Sequence, residues 1–148
     1  MKSKELTRNI EMTMSALIMY WKNYFEESMA KYSMRTVTMG AVLFAVYKHE
    51  GVVQDEICKM LNMDKAYVTR ELNSLARLDY IRREKDDLDH RKNHVYVTKA
   101  GKKAATEIER VRNEWSAIEY EGFSEDEKLL FLEKLHKIQA NIRNKIMG

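Results

Sequence analysis

The chain has 148 residues, 45% hydrophobic and 33% charged, with a formal net charge of +3 and one cysteine. That length supports a single cored domain without cross-links, and the balance fits a globular chain rather than a disordered or membrane one; one cysteine excludes an internal disulfide and fits a reducing compartment. The longest apolar run, Met39 to Tyr47, falls well short of the roughly 18 residues a membrane span needs, and the polar start Met1 to Leu6 lacks a signal-peptide core, so a cytoplasmic protein with no membrane partner is expected.

From about Lys4 to Lys31, Ile10, Met14, Leu17, Ile18, Trp21, Phe25 and Met29 recur at three- and four-residue steps, which predicts a long helix with one apolar stripe that needs a partner. Met34 to Thr38 breaks the period. A shorter helix follows through Ala41, Val42, Leu43, Ala45 and Val46, ended at His49-Glu50-Gly51 by a glycine suited to the left-handed position. Gln54 to Leu61 predicts a two-turn helix with acids in its first turn and Ile57, Met60 and Leu61 inward. Asp64 is placed to cap a further helix from Lys65 to about Leu78, burying Val68, Leu72, Leu75 and Leu78 and exposing Lys65, Ala66, Tyr67, Thr69, Arg70 and Asn73.

Tyr80–Lys85 and His94–Thr98 favour extended structure around a charged tip, a two-stranded hairpin. Thr98 caps the next helix, whose apolar side carries Ala104, Ala105, Ile108, Val111, Trp115 and Ile118. A capping box, Ser124 to Glu127, opens the last, with Leu129, Leu132, Leu135, Ile138, Ile142 and Ile146 on one side. There is no proline, linker or repeat to divide these helices.

Charge is uneven along this order. Residues 65–103 hold eleven Lys or Arg against six acids, whereas 1–64 is neutral and 104–148 is net negative. A basic middle third is what a polyanion-facing segment requires. Two short helices across a tight turn, the second with small polar and basic residues outward, form the arrangement that puts one helix in a major groove. Lys65 and Arg70 can donate to guanine, Thr69 to several bases, and Ala66 or Tyr67 can meet a thymine methyl. Taken alone, such a face is more often a solvated helix surface, and a charged hairpin tip is a common solubility feature. Their succession without an intervening element is what a winged helix demands.

Three segments, Tyr80-Ile-Arg-Arg83, Asp89-His-Arg91 and Val95-Tyr-Val-Thr-Lys-Ala-Gly101, with Val68-Thr69-Arg70 and Leu75 before them, resemble the multiple-antibiotic-resistance regulator (MarR) family of bacterial and archaeal repressors. The Asp-x-Arg spacing is the most specific. The chain departs from the family pattern at Val97, where Leu is usual, and at Asp79, where Gly is frequent. The resemblance implies a mainly α fold: a winged helix-turn-helix over about 36–98, a small β-hairpin wing, and long N- and C-terminal dimerisation helices over about 4–31 and 99–147, all within one domain, 1–148. It implies that Arg91 enters a minor groove while Asp89 holds its guanidinium, and that Lys92 and Arg83 serve phosphate or support the wing. It further implies a homodimer on a pseudo-palindromic operator, recognition helices roughly 34 Å apart. The double-stranded DNA contacts are thus expected at Lys65, Ala66, Tyr67, Thr69, Arg70, Asn73, Arg83, Asp89, Arg91 and Lys92.

Other chemistry finds little support. Of His49, His90, His94 and His136 only His90 with His94 has a spacing to weigh for a metal, and those two lie around a hairpin tip rather than on one helix face; Cys58 has no second thiol, so neither a metal nor a redox switch is expected and Cys58 is assigned to the core. No phosphate loop, carboxylate pair or Ser/His/Asp set is present in the sequence, so no catalytic residues and no cofactor are expected and the chain is not taken for an enzyme. A small aromatic or lipophilic effector is permitted by the resemblance; Tyr20, Trp21, Tyr24, Phe25, Tyr32, Phe44 and Tyr47 could line its pocket, but core packing ranks first for each. The rival function is a winged-helix module that docks an acidic protein without specific DNA binding.

Overall fold

The structure is a computed structural model that describes residues 2–146. It comprises α1 (Ser3–Ser28), a 3-10 turn (Ala30–Tyr32), α2 (Val37–Lys48), β1 (Val52–Val53), α3 (Gln54–Leu61), α4 (Lys65–Arg77), β2 (Ile81–Lys85), β3 (Asn93–Val97), α5 (Lys99–Glu119) and α6 (Glu125–Ile146). Residue 147, where the sequence reading ends its last helix, lies outside the described residues. The mainly α fold with a small β wing is therefore the observed one. Among the described residues no helix is long and apolar enough to cross a membrane. Two compact units divide the chain, Met1–Arg112 and Asn113–Gly148.

In the first unit α2 is the central helix, because Met39, Val42, Leu43, Ala45 and Val46 bury almost every face it has. Thr36 caps it, its hydroxyl accepting from the Met39 amide at 3.0 Å. Against α2 pack Ile57 of α3 and Val68, Leu72 and Leu75 of α4, all fully buried. Asn62, at φ 52, ends α3 in the left-handed region, and Asp64 starts α4 by accepting the Tyr67 amide at 2.8 Å. Asp79 adopts φ 57, the conformation for which a glycine is the easier residue, and turns the chain from α4 into β2.

The sheet runs β1-β3-β2, antiparallel throughout, with Ile81 opposite Val97, Arg83 opposite Val95 and Val52 opposite Val95 on the other edge. Ile81, Val95 and Val97 face the core, joining the wing's base to the helices. The sequence predicts only the hairpin; β1 is the additional strand. At two residues it is too short to show alternation, and it forms because β3 offers a free edge beside the α2–α3 turn. Met60 also departs from expectation: it is 44% exposed, while Ile57 is fully buried and Cys58 and Leu61 pack partly against the core. On an eight-residue helix the last turn projects past the core, so Met60 faces an open depression with His49, Glu56 and Lys59.

Two helices owe their starts to the residues read as caps. The Thr98 hydroxyl accepts from the Gly101 amide at 3.0 Å at the start of α5, and Ala104, Ala105, Ile108 and Val111 then line the core. In the second unit, Ser124 and Glu127 make the reciprocal capping box at 3.2 and 2.8 Å before α6. Long apolar rows stay outside any core in the single chain. On α1 these are Leu6, Ile10, Leu17 and Ile18, since burial is complete only at Phe25 and beyond; on α6 they are Leu129, Leu132, Ile138, Ile142 and Ile146.

Candidate nucleic-acid interface

The outer face of α4 and the wing form one basic surface. Lys65, at the first turn of α4, lines a small cleft of about 80 Å³ together with Arg91 and Lys92 of the wing and Gln54 and Asp55 of α3. Lys65, Ala66, Arg70, Asn73, Arg83, Arg91 and Lys92 are exposed, while Tyr67, Thr69 and Asp89 are half-buried. All ten residues expected at the interface thus lie on α4 or the wing hairpin.

Each recognition-helix side chain has a distinct setting. The Arg70 guanidinium stacks over the Tyr67 ring, 4.3 Å from its centroid, which orients the cation without consuming its donors. Lys65 lies 3.8 Å from the Asp55 carboxylate, both exposed, a pair weak enough in water to be exchanged for phosphate. Thr69 is more committed: its hydroxyl donates to the Lys65 carbonyl at 2.7 Å and accepts from the Gln54 amide, leaving one lone pair free. In this rotamer Thr69 can accept from a base but not donate to one. The Asn73 carbonyl accepts from Arg83 Nη2 at 2.9 Å, so its two amide hydrogens face outward.

At the wing, Arg91 is 92% exposed, and the Asp89 carboxylate accepts both its backbone N–H at 3.1 Å and its Nε at 3.3 Å. A carboxylate on Nε leaves the two terminal nitrogens pointing outward. Asp86 organises the turn: one oxygen accepts the Leu88 and Asp89 amides, both at 2.9 Å, and the other lies 2.7 Å from His94 Nε2. Those contacts draw the Asp86 carboxyl down to about 2, the His94 bond contributing most and the two amides next. On β2 the Arg82 guanidinium stacks on Tyr96 at 4.5 Å and pairs with Glu84.

Three residues outside the expected set support it. Gln54 holds Thr69 and the Lys65 carbonyl from the start of α3. Asp86 and His94 tie the wing, and their only signal in the sequence is that both flank the hairpin tip across the register of β2 and β3. Arg35, before α2, and Arg77, at the end of α4, share a further cleft of about 360 Å³ with Arg70 and the buried Glu71. Burial raises the Glu71 carboxyl, the Arg70 charge opposing.

Cys58 is half-buried, and its thiol is raised, first by desolvation and then by Asp55, the opposite of an activated thiolate. Phe25 is buried, whereas Trp21, Tyr24, Tyr32, Phe44 and Tyr47 pack at the edge of the core and Tyr20 is exposed. Among the described residues no group of three or more His, Cys, Asp or Glu could hold a metal ion.

Residues 36–92 match the model of the MarR family. Over 108 residues the chain is 24% identical to YybA, an uncharacterized HTH-type transcriptional regulator of Bacillus subtilis (strain 168), covering 72% of each. Among solved structures it is similar to the S. aureus MepR–DNA complex, with a TM-score of 0.78 and 22% identity over 95% of this chain and 98% of that one. It is also similar to Streptococcus pneumoniae FabT in complex with DNA, with a TM-score of 0.76 and 18% identity over 97% and 99%. The matched segment runs from the cap of α2 to the wing lysine, the stretch that builds the basic surface, and over it the chain is similar to the MarR family, whose winged-helix fold it shares.

Proposed function

We propose that the protein is a transcriptional repressor that binds DNA as a homodimer on a pseudo-palindromic operator. The reading is carried by one observation: Arg70 on α4 and Arg91 on the wing are both exposed, oriented by a neighbour, and set on elements joined by the Arg83–Asn73 bond. A helix in a major groove and an arginine in the adjacent minor groove need that fixed relation. Lys65, Ala66, Tyr67 and Thr69 supply the remaining edge contacts, and Arg83 and Lys92 the phosphate contacts. The two DNA complexes among the similar structures support DNA as the partner.

The second copy follows from the apolar rows of α1 and α6. Exposed leucines and isoleucines repeating along two long helices are far more than a stable monomer leaves to water, and two-fold association covers them. Release by a small aromatic or lipophilic effector completes the regulatory cycle, by shifting the spacing between recognition helices.

Selection of bound duplexes from a random pool tests the reading. A recovered inverted repeat is the expected result. Arg70→Ala should relax preference at one position per half-site and cost about 1–3 kcal/mol, and Arg91→Ala should weaken binding and flatten its salt dependence. Equal affinity for selected and unselected duplexes would instead favour a protein-docking winged helix.

A further inference from the structure

His94 sits on β3 at the base of the wing with an acceptor on each side of its ring. Nδ1 lies 2.7 Å from the Gly51 carbonyl oxygen and Nε2 lies 2.7 Å from Asp86 Oδ2. A carbonyl and a carboxylate can only accept, and a neutral imidazole has one N–H, so both bonds are made together only by the doubly protonated ring. We propose that His94 and Asp86 are positioning residues for the wing: the imidazolium, bridging the turn before β1 to the hairpin tip, holds Arg91 in its DNA-presenting form, and DNA affinity falls when the ring loses its proton. The inference rests on the DNA-binding reading above and adds a pH control to it.

The linkage can be followed bond by bond. Asp86, held by His94, accepts the Leu88 and Asp89 amides, and its own amide donates to the Lys92 carbonyl at 2.9 Å, closing the tip. Asp89, fixed by that turn, accepts from Arg91. Three residues, His94, Asp86 and Asp89, therefore connect the Gly51 carbonyl to the guanidinium. Without its proton the ring keeps one bond at most, and either Gly51 or Asp86 loses its donor.

The surroundings favour the charged ring. Asp86 faces it from the tip and Glu56 adds its charge from α3; Glu84, opposite on β2, is already paired with Arg82, and Glu50, beside Gly51, accepts the Val97 amide at 3.4 Å. His49 is the other imidazole on the α2–β1 turn, two residues from Gly51. His94 is accordingly raised above the ordinary imidazole value, by the Asp86 bond first and the Gly51 bond second, with partial burial opposing. The sign follows: a base raised in the folded form keeps its contribution below the ordinary value near 6.5 and loses it as pH climbs through the raised one. At the acid end the link holds until the Asp86 carboxylate is protonated, near 2.

His90, at the wing tip, is the confounding group, since its own charge would act directly on phosphate. The test therefore uses two readouts on the full chain. Nitrogen-15 spectra of the imidazoles and amide exchange at Leu88, Asp89 and Arg91, followed through pH without DNA, report the latch itself. Anisotropy at constant ionic strength, with a labelled selected duplex and a random one, each of about 30 base pairs, reports affinity.

The expected result is that His94 carries both ring protons at low pH, and that wing amides lose protection as one leaves. Affinity should fall roughly three- to tenfold from about pH 6 to about pH 8.5 in the wild type and in His90→Gln, but stay flat in His94→Gln. Asp86→Asn should move the midpoint to lower pH. A slope retained in His94→Gln, a slope abolished by His90→Gln, or wing amides indifferent to pH would overturn the proposal. Absence of binding to either duplex at any pH, with the spectra unchanged from expectation, would sink the DNA reading while leaving the latch demonstrated.

Discussion

Gly101 is the residue of the resemblance for which the structure supplies a quantitative reason. A methyl group at that position would stand 1.9 Å from the Tyr80 carbonyl oxygen and 2.9 Å from its carbon. An ordinary carbon–oxygen contact needs about 3.3 Å, so α5 and the start of β2 would have to separate by roughly 1.4 Å. No rotamer relieves a clash between two backbones. The same oxygen accepts the Thr98 amide at 3.0 Å, and that bond would stretch with the shift. Overpacking costs about 1–3 kcal/mol and the strained hydrogen bond about 0.5–1.5, against a gain of about 1 kcal/mol from alanine in a helix, leaving Gly101→Ala destabilised by roughly 2 kcal/mol. Urea unfolding followed by circular dichroism measures this, at one protein concentration because association shifts apparent stability. Lys103→Ala, on the exposed side of the same helix, should change stability by no more than about 0.5 kcal/mol. If Gly101→Ala proved as stable as the wild type, the close approach of α5 to Tyr80 would be wrong, and with it the account of how the wing is seated.

Two further outcomes are expected in the same assay. Asp64→Ala removes the acceptor of the Tyr67 amide and should cost about 1 kcal/mol, with Asp64→Asn recovering most of it; equal loss in both would exclude a capping role. Glu71 is buried and its carboxyl is raised by desolvation. Both chain states hold the proton at low pH, so the group is neutral in effect there; as pH rises through the folded value, the native state must bury a charge and stability is lost. Glu71→Gln should therefore match the wild type near about pH 3.5 and exceed it at about pH 8, and a difference independent of pH would contradict the assignment.

The helices were legible because their apolar residues recur at helical spacing and because Asp64, Thr98 and Ser124 are side chains able to accept at a helix start. Gln54–Leu61 is bounded in the structure as in the sequence, by a left-handed Asn62 on one side. Asp79, which departs from the family's glycine, takes the positive φ that the departure required it to tolerate. The exposed basic surface was legible as a list of residues on one helix and the hairpin, and less so as an arrangement. Nothing in residue type distinguishes Gln54 from any polar helix start, yet it occupies the Thr69 hydroxyl. His94 offers no metal-ligand pattern; its partners, Gly51 and Asp86, lie 43 and 8 residues away and meet it only through strand pairing. Two-residue strands and contacts across a register carry no period, and those are the features that composition and spacing leave unread.

The unread features are also the ones that join α4 and the wing into one surface. β1 is continuous with α3, and its pairing with β3 fixes the wing's inner strand to the first residue of the helix-turn-helix, Gln54. From that residue one amide holds the start of α4. On the far side, Arg83 of β2 holds Asn73, two turns further along α4. Helix α4 is thus held at both ends of its exposed face, by Gln54 of α3 and Arg83 of β2, side chains that are themselves among the polar groups of the surface. Ordering two mobile elements on a duplex would cost roughly 0.5–1.5 kcal/mol for each side chain immobilised, and a surface ordered beforehand avoids much of that. On this argument Gln54→Ala, which removes no side chain assigned to the duplex, should lower affinity, and most of the loss should appear as faster dissociation rather than slower association.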